Sequence, residues 1–491
     1  MDKTFLDSYK VSIIQTDKAE YPLLPPFDPD HRYPEYPFHD SFVSSSPNYA
    51  YSGVRESFFY LKLDIENYGK STWNPYDKII KPGDRVALKP NFVYHKNKGG
   101  SSIDSVITHG SIIRAVLDYV IIALKGKGEI CIADAPQSDA HFEKIVDISG
   151  TKEVVDALRK RTNIPIILLD LRKERVIEED GLIVGSQKLK GDPAGYISVN
   201  LKEKSFFYAG LKGNQRFRGS DYDVRETSKH HNKNTNEYLI SRTIVNSDVL
   251  INIPKLKTHR KTGVTVCLKN LIGMNGDKNW IPHFQLGGPS SRGDEHSSKS
   301  RLRDFECFLK DKSKLFISHS GPLGIFLSRK IRKIQKSAVE HSHLFDIRGG
   351  SWYGNDTLWR SILDLNNILF FASRTGDLQQ TPQRKYFCVV DGIIAGQGEG
   401  PYHTSPISTG CIIAGSNPIS IDLIAILFMG FDYKKIPKVF NAVKSEFSGF
   451  HLDNNRELYS NNLEWKKALT EGKPCFRFTP PKGWSNHIEL I

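Results

Sequence analysis

The chain has 491 residues, 39% of them hydrophobic and 25% charged, and its 68 lysines and arginines exceed its 55 acidic residues to give a net charge of +13. This length predicts two or three domains, and the composition is that of a soluble globular protein. The longest apolar run, residues 419–430, contains Asp422 and is shorter than the roughly 18 residues of a membrane span. The N-terminus shows no secretory signal, so we expect a cytoplasmic protein without a membrane span.

Charge and cysteine spacing exclude further classes of protein. The basic residues are spread along the chain without a recognised nucleic-acid motif, so a small anionic substrate or cofactor accounts for the excess as well as an anionic surface does. The closest two of the six cysteines, Cys388 and Cys411, are 23 positions apart. This spacing excludes CxxC-type zinc and ferredoxin patterns and indicates no disulfide framework. The sequence does not fix the oligomeric state.

Residues 1–80 are predicted to form a strand near residues 10–15 and then a wrap over the surface. Six prolines between Pro22 and Pro37 forbid a helix there, so this Pro/Tyr-rich connection runs extended. Its aromatic side chains favour structural packing over a lid.

Residues 81–170 are predicted to be the first α/β section. A strand at 85–93, a helix from about residue 110 and a strand at 129–133 form a βαβ unit, whose strands run parallel. Polar side chains that collect at the carboxyl ends of such strands bind ligands. The substrate-binding candidates of this section are Lys89, Asn91, His109 and Asp134. The alternative for His109 is a plain turn residue, and for Asp134 a turn cap.

Four other sections flank the central part of the chain. Residues 171–237 have short strands and polar turns and are predicted to be an inserted antiparallel segment. Residues 301–380 are predicted to be a basic helical section, 381–442 a C-terminal α/β section and 443–491 an irregular tail.

Residues 238–300 carry the densest group of reactive side chains. A buried strand at 249–253 ends at a proline, and the basic residues at 255, 257, 259 and 261 then alternate, so an extended chain projects them from one side. The apolar spacing from Val264 to Ile272 predicts a short helix that presents Lys269 toward this loop. Further substrate-binding candidates are Asp277 and Lys278. The competing interpretation is a solvated basic loop.

Two more groups of candidates follow the central loop. His283, Asp294 and Glu295 have the ligand types of a divalent metal, although the two acidic residues also suit an ordinary solvated turn. Asp391 ends a buried strand, and Glu399 stands in the glycine-rich loop after it. Both carboxylates are catalytic candidates that could orient a substrate or a metal, and tight turns are the other explanation for the glycines.

The strings NIPKLKTHRKTGVTVCLKNLIGMNGDKNWIPH, KPNFV and DGIIAGQGEGP resemble the bacterial and archaeal proteins known as the domain of unknown function 362 family. The resemblance covers residue 81 to roughly residue 442. It implies no established reaction. Because many relatives carry a ferredoxin module, it does imply an iron–sulfur-associated redox protein as one alternative.

Residues 252–269 also resemble the segment of nickel-dependent lactate racemases in which a strand ends in Lys-x-His and a lysine follows ten residues later. The resemblance implies that His259 is a catalytic acid/base and that Lys269 carries a nickel-pincer-like nucleotide. Val266 to Leu268 stand here where the racemases have a glycine-rich GGRK sequence. Further cofactor-binding candidates are Lys255, Lys257 and Asn270.

These observations predict a mixed α/β protein with mainly parallel, Rossmann-like sheet sections and an inserted α+β segment. Our first hypothesis is an isomerase, epimerase or oxidoreductase that acts on a small hydroxylated or carboxylated substrate in a basic cleft. In it His259 moves a proton or hydride equivalent, Lys269 holds the cofactor or substrate, and Lys255 and Lys257 neutralise negative charge. The alternative is a non-catalytic protein that binds a nucleotide or another anion.

Overall fold

The computed structural model describes residues 9–179, 182–208, 216–219, 224–319, 347–445 and 457–490. The strands of these ranges are β1 (Val11–Gln15), β2 (Arg85–Pro90), β3 (Glu129–Asp134), β4 (Ile166–Asp170), β5 (Glu174–Glu179), β6 (Leu182–Lys188), β7 (Tyr196–Asn200), β8 (Phe217–Arg218), β9 (Glu237–Ser241), β10 (Val249–Ile253), β11 (Lys255–His259), β12 (Gly263–Thr265), β13 (Phe284–Gln285), β14 (Lys385–Glu399), β15 (His403–Gly415) and β16 (Leu458–Ser460). The α-helices of these ranges are α1 (Tyr49–Tyr60), α2 (Gly110–Leu124), α3 (Phe142–Ile148), α4 (Thr151–Arg159), α5 (Val224–His230), α6 (Arg242–Asn246), α7 (Cys267–Asn270), α8 (Arg301–His319), α9 (Leu358–Phe371), α10 (Pro418–Met429), α11 (Pro437–Lys444) and α12 (Leu463–Thr470). In the described part of the chain, no helix combines the length and apolar character needed to cross a bilayer.

One large sheet organises the molecule. Its strand order is β16-β1-β15-β14-β10-β2-β3-β4, and β11 and β12 extend it from β14. The run β14-β10-β2-β3-β4 is parallel, whereas β15 is antiparallel to both of its neighbours. The prediction of an α/β fold with a mainly parallel sheet is therefore confirmed.

Strand β10 shows why the sheet is buried on both faces. All five of its residues are buried, as a continuous aliphatic run predicts for a central parallel strand. Because successive side chains alternate in direction, Val249 and Ile251 pack into the core on the side of α1 and α2. Leu250 packs into the core on the side of α9 and α10.

The segment between β4 and β10 is antiparallel where the structure describes it. Strand β5 pairs with β6 and β7 pairs with β9, both in antiparallel register. The predicted inserted α+β segment is confirmed.

The chain after β11 differs from the predicted helix. Val264 lies in β12, which pairs with β11, and the α-helical part is only α7, followed by a 3₁₀ turn at Leu271–Met274. Gly263 has a φ of +74°, a conformation that glycine adopts without strain, and it reverses the chain between the two strands. Strand pairing thus outweighs the local apolar periodicity.

Candidate functional site

An open cleft lies beyond the carboxyl ends of β2 and β3, the edge at which parallel sheets bind ligands, and its empty space, including the solvent at its mouth, is about 730 Å³. Its other walls come from the end of β11, from α7 and the turn after it, and from the loop between β14 and β15. Seven of the side chains predicted from the sequence line it: Asn91, Asp134, His259, Lys269, Asn270, Lys278 and His283.

A buried ion pair forms the floor of the cleft. Nζ of Lys89 lies 2.7 Å from Oδ1 of Asp134, and both side chains are almost fully buried. Burial lowers the pKa of Lys89, and the Asp134 carboxylate opposes this shift. Oδ2 of Asp134 accepts a hydrogen bond from the Phe92 N–H at 2.8 Å. The Asp134 carboxylate, which lines the cleft, is therefore already neutralised by Lys89 on the buried side.

Gly273 covers this ion pair with bare backbone. A Cβ at this position would lie 1.8 Å from Oδ1 of Asp134 and 2.7 Å from Nζ of Lys89. No other residue fits here without displacing the pair, so the glycine has a steric role beyond ending the helical turn.

Two half-buried lysines, Lys269 and Lys278, contribute positive charge to the cleft. Burial, followed by the positive charges of Lys438 and Lys89, lowers the pKa of Lys269 to about 7. Burial is also the first cause that lowers the pKa of Lys278 to about 7, where Asp134 opposes the shift and Lys89 and Lys269 add to it. Both amines are therefore near the midpoint of titration at neutral pH.

Helix α7, which carries Lys269, is fixed from its far side by helix α10. Oδ1 of Asp422 accepts a hydrogen bond from the Cys267 N–H at 2.7 Å, so this carboxylate caps α7. Nζ of Lys438 lies 3.8 Å from Oδ2 of Asp422, and both side chains are fully buried. The start of α7 is therefore held in place by a buried ion pair.

Two imidazoles line the cleft with opposite hydrogen-bonding patterns. Nδ1 of His259 accepts a hydrogen bond from the Lys261 N–H at 3.1 Å, whereas Nδ1 of His283 lies 2.8 Å from the Ile281 carbonyl oxygen and donates to it. Burial, followed by the charge of Lys269, lowers the pKa of His259 well below its usual value. Burial, followed by the charge of Lys261, does the same for His283.

Two asparagine carbonyl oxygens in the cleft wall have no hydrogen-bond partner among the described residues. They are Oδ1 of Asn91 and Oδ1 of Asn270, and both are buried. The amide nitrogen of Asn270 is engaged, since it donates to the Lys89 carbonyl oxygen at 3.0 Å and to Oδ1 of Asn252 at 2.7 Å. Because buried polar atoms are nearly always paired, each of these oxygens needs a donor that a buried water or a ligand group would supply.

Lys255, His109 and Asp391 lie together, but none of them lines the cleft. Nζ of Lys255 is 3.0 Å from Oδ2 of Asp391, and both side chains are fully buried. The Tyr21 hydroxyl donates to Oδ1 of Asp391 at 2.5 Å, and the His109 N–H donates to Oδ2 at 2.9 Å. The Tyr21 and His109 rings stack with centroids 4.1 Å apart. We call these four residues the Tyr21 cluster.

Lys257 is fully buried and is bound by backbone. Its ammonium donates to the carbonyl oxygens of Val106 and Pro401. Burial, followed by the charge of Lys269, lowers its pKa well below the usual value. This lysine joins β11 to two loops.

The remaining carboxylate candidates make hydrogen bonds to backbone outside the cleft lining. Glu399 accepts from the Lys482 N–H at 2.5 Å, and Asp277 caps a 3₁₀ turn by accepting from the Asn279 N–H at 3.0 Å. Asp294 accepts from the Gln285 and Asp356 N–H groups and from the Thr357 hydroxyl. Glu295 accepts from the Gly287 N–H at 3.2 Å. Within the described residues, no three His, Cys, Asp or Glu side chains are grouped to hold a metal ion.

Residues 200–426 match the model of a family described as Domain of unknown function (DUF362). This segment belongs to the DUF362 family. A comparison with curated proteins finds no match. The predicted family is therefore confirmed over the segment, and the similarity to nickel-dependent lactate racemases stays a prediction.

The DUF362 segment contributes only part of the cleft. It supplies both histidines and the two lysines with a pKa of about 7, whereas the floor pair lies in β2 and β3 and Asn91 follows β2, all outside the match. The site is thus assembled from the family segment and an N-terminal βαβ unit.

Sequence reasoning missed two residues of the cleft rim. Arg260 and Tyr402 line the cleft, and the guanidinium donates to the tyrosine hydroxyl at 2.9 Å. Arg260 falls between the alternating positions of β11, and Tyr402 follows a glycine-rich stretch. Neither position has a local pattern that indicates a ligand site.

Proposed function

We propose that the cleft binds a small hydroxylated anion and catalyses proton transfer on it, as an isomerase, an epimerase or an oxidoreductase. The observation that carries the proposal is the charge balance of the lining: the Lys269, Lys278 and Arg260 side chains line the same cleft as a single carboxylate, which Lys89 already neutralises. Such a cleft attracts anions and holds their charge in a partly desolvated setting.

The unpartnered oxygens of Asn91 and Asn270 refine the class of ligand. A carboxylate or phosphate oxygen only accepts hydrogen bonds, so it cannot satisfy these two carbonyl groups, whereas a hydroxyl group can donate to them. Anionic and hydroxyl groups in one small molecule therefore match the lining best. Hydroxy acids, sugar acids and sugar phosphates fit this description.

Calorimetric titration of the full chain tests this proposal with matched probes. Comparing the affinities for D-glycerate and glycerol tests the contribution of the ligand's negative charge. Comparing the affinities for D-glycerate and propionate tests the contribution of the ligand's hydroxyl groups. We expect the affinity for glycerate to exceed the affinities for glycerol and propionate, and we expect Lys278→Met to weaken glycerate binding. Lys466→Met, at an exposed position of α12, is the control and leaves binding unchanged. Equal binding of glycerate and glycerol would contradict the proposal.

The predicted cofactors fit the cleft unequally. Lys269 lines the cleft and is the side chain that would carry a covalently attached nucleotide. The proposed divalent site fits less well, because the Asp294 carboxylate is engaged by two N–H groups and a hydroxyl while His283 faces the cleft. We therefore assign the chemistry to the side chains of the chain. An intact-mass spectrum of protein from its native host tests for a modification at Lys269.

A binding protein without catalysis is the second candidate, and one observation favours it. Asp391 and Glu399, the carboxylates predicted to act on a substrate, do not line the cleft. This candidate predicts that hydroxy acids bind and that no bond in them exchanges hydrogen with the solvent.

A further inference from the structure

The two cleft histidines differ in which ring nitrogen carries the proton. A backbone N–H can only donate, so Nδ1 of His259 holds a lone pair and the proton of the neutral ring is on Nε2. A carbonyl oxygen can only accept, so Nδ1 of His283 carries the proton and its Nε2 holds the lone pair. Both contacts are made two residues along the chain, so each local turn fixes its own ring.

Both Nε2 atoms remain available for a ligand. Both rings line the cleft, and the hydrogen bond found at each ring engages Nδ1 rather than Nε2. Lys261 and Lys269 act electrostatically on both rings, which places the rings beside the same two positive charges. These charges and burial disfavour the imidazolium form of each ring, so the structure presents one neutral donor and one neutral acceptor.

We propose that His283 is the general base of the cleft and that His259 is a neutral hydrogen-bond donor to the oxygen on which negative charge develops. The substrate is then a 2-hydroxy-carbonyl compound with one anionic group. This inference rests on the proposed function for the anionic class of the substrate, and it adds the reacting group and the roles of both rings.

The proton transfer is balanced within the cleft. The C–H bond next to the carbonyl group breaks, its proton passes to Nε2 of His283, and its electron pair forms the carbon–carbon double bond of an enediolate. The negative enediolate oxygen accepts the Nε2–H of His259, and the charges of Lys269 and Lys278 stabilise it. Return of the proton from His283 to the neighbouring carbon, together with transfer of the remaining hydroxyl proton to the former carbonyl oxygen, completes an isomerisation. No oxidant or reductant is consumed.

The first experiment measures the tautomers without a substrate. The full chain is labelled with ¹⁵N-histidine, and long-range ¹H–¹⁵N spectra are recorded at pH 7.5. His259→Gln and His283→Gln assign the two rings by loss of their signals. We expect two neutral rings, with the proton on Nε2 of His259 and on Nδ1 of His283. An imidazolium ring or the same tautomer at both positions overturns the assignment, whatever the cleft binds.

The second experiment measures the chemistry with two probes, dihydroxyacetone phosphate and 3-hydroxypyruvate, in D₂O. Proton NMR follows the exchange of hydrogen at the carbon next to the carbonyl group. We expect exchange above the rate in buffer, and a decrease of about 100-fold or more in His283→Gln, as for loss of a general base. His31→Gln, at an exposed histidine, is the matched control. No exchange with either probe, or full exchange in His283→Gln, overturns the proposal.

Oxalate binding separates the two proposals. Oxalate is a planar dianion that resembles an enediolate, and we expect it to bind the wild-type chain. His259→Phe removes the donor and weakens this binding, whereas His259→Gln keeps an N–H donor and retains more of it. Failure of oxalate to bind at all overturns the proposed anion cleft. Binding that His259→Phe leaves unchanged overturns only the role of His259.

Discussion

The cleft and the Tyr21 cluster are both built from polar residues near the ends of parallel strands, yet they differ in how these residues are paired. In the Tyr21 cluster both oxygens of Asp391 are bound by protein groups, including Lys255 and the Tyr21 hydroxyl. In the cleft two buried asparagine oxygens have no partner in the described residues. The difference separates polar groups that stabilise the fold from those left for a ligand.

The largest effect that this comparison predicts is on activity. His259→Ala removes the donor from the cleft and lies outside the Tyr21 cluster, so hydrogen exchange of the hydroxy-carbonyl probes should fall by about 100- to 1,000-fold. The free energy of unfolding, measured with urea, should stay close to that of the wild type. Full hydrogen-exchange activity of His259→Ala would show that the reaction in the cleft does not require this ring.

The second prediction concerns the stability of the Tyr21 cluster. Asp391→Ala leaves the fully buried Lys255 without its charged partner, which should lower the free energy of unfolding by about 3–5 kcal/mol. Urea denaturation measures this change, and Glu203→Ala, at an exposed position, should change stability by less than about 0.5 kcal/mol. Oxalate affinity below the unfolding transition should remain unchanged. A large loss of oxalate affinity in Asp391→Ala would show that the Tyr21 cluster also contributes to ligand binding.

The third prediction is a pH dependence that only the cleft should show. Lys269 and Lys278, each with a pKa of about 7, are charged below that pH and neutral above it. Affinity for oxalate, whose own charge is constant over this range, should therefore fall as the pH rises through 7, by up to about tenfold per pH unit for each lysine. Lys278→Met should reduce the slope. Affinity that is flat between pH 6 and 9 would contradict the role of both amines.

The smallest effect is expected at the rim. Tyr402→Phe removes the hydroxyl that accepts from Arg260, and a contact of this kind contributes only about 1 kcal/mol because water replaces it. Calorimetric titration with oxalate should show a change of a few-fold at most. A loss as large as that of Lys278→Met would place the rim inside the binding site.

The sequence predicted the parts of the fold that have strong local patterns. The aliphatic run of β10 indicated a strand, and this strand forms. The basic residues after Pro254 were predicted to form a loop, and they form strand β11 instead. The predicted helix beginning at Val264 did not account for β12, because its pairing with β11 depends on the turn at Gly263. Local periodicity does not encode such pairing.

The roles of individual lysines were less accessible from the sequence. Lys255 and Lys257 lie in β11 and Lys269 lies in the nearby helix α7, but the surroundings of these lysines come from distant parts of the chain. Asp391 is 136 positions from Lys255, and the Val106 carbonyl is 151 positions from Lys257. Spacing shows which side chains point the same way, and only the fold shows which of them already have a partner.

Tyr21 makes the N-terminal wrap part of the buried structure behind β14. Its hydroxyl contacts both Asp391 and Lys255, and its ring covers His109. A recombinant protein trimmed to the family segment, residues 200–426, would lack this side chain and would open the ion pair to water. Expression of the isolated segment is therefore a poor substitute for the full chain, and a fusion partner should be attached at the other terminus.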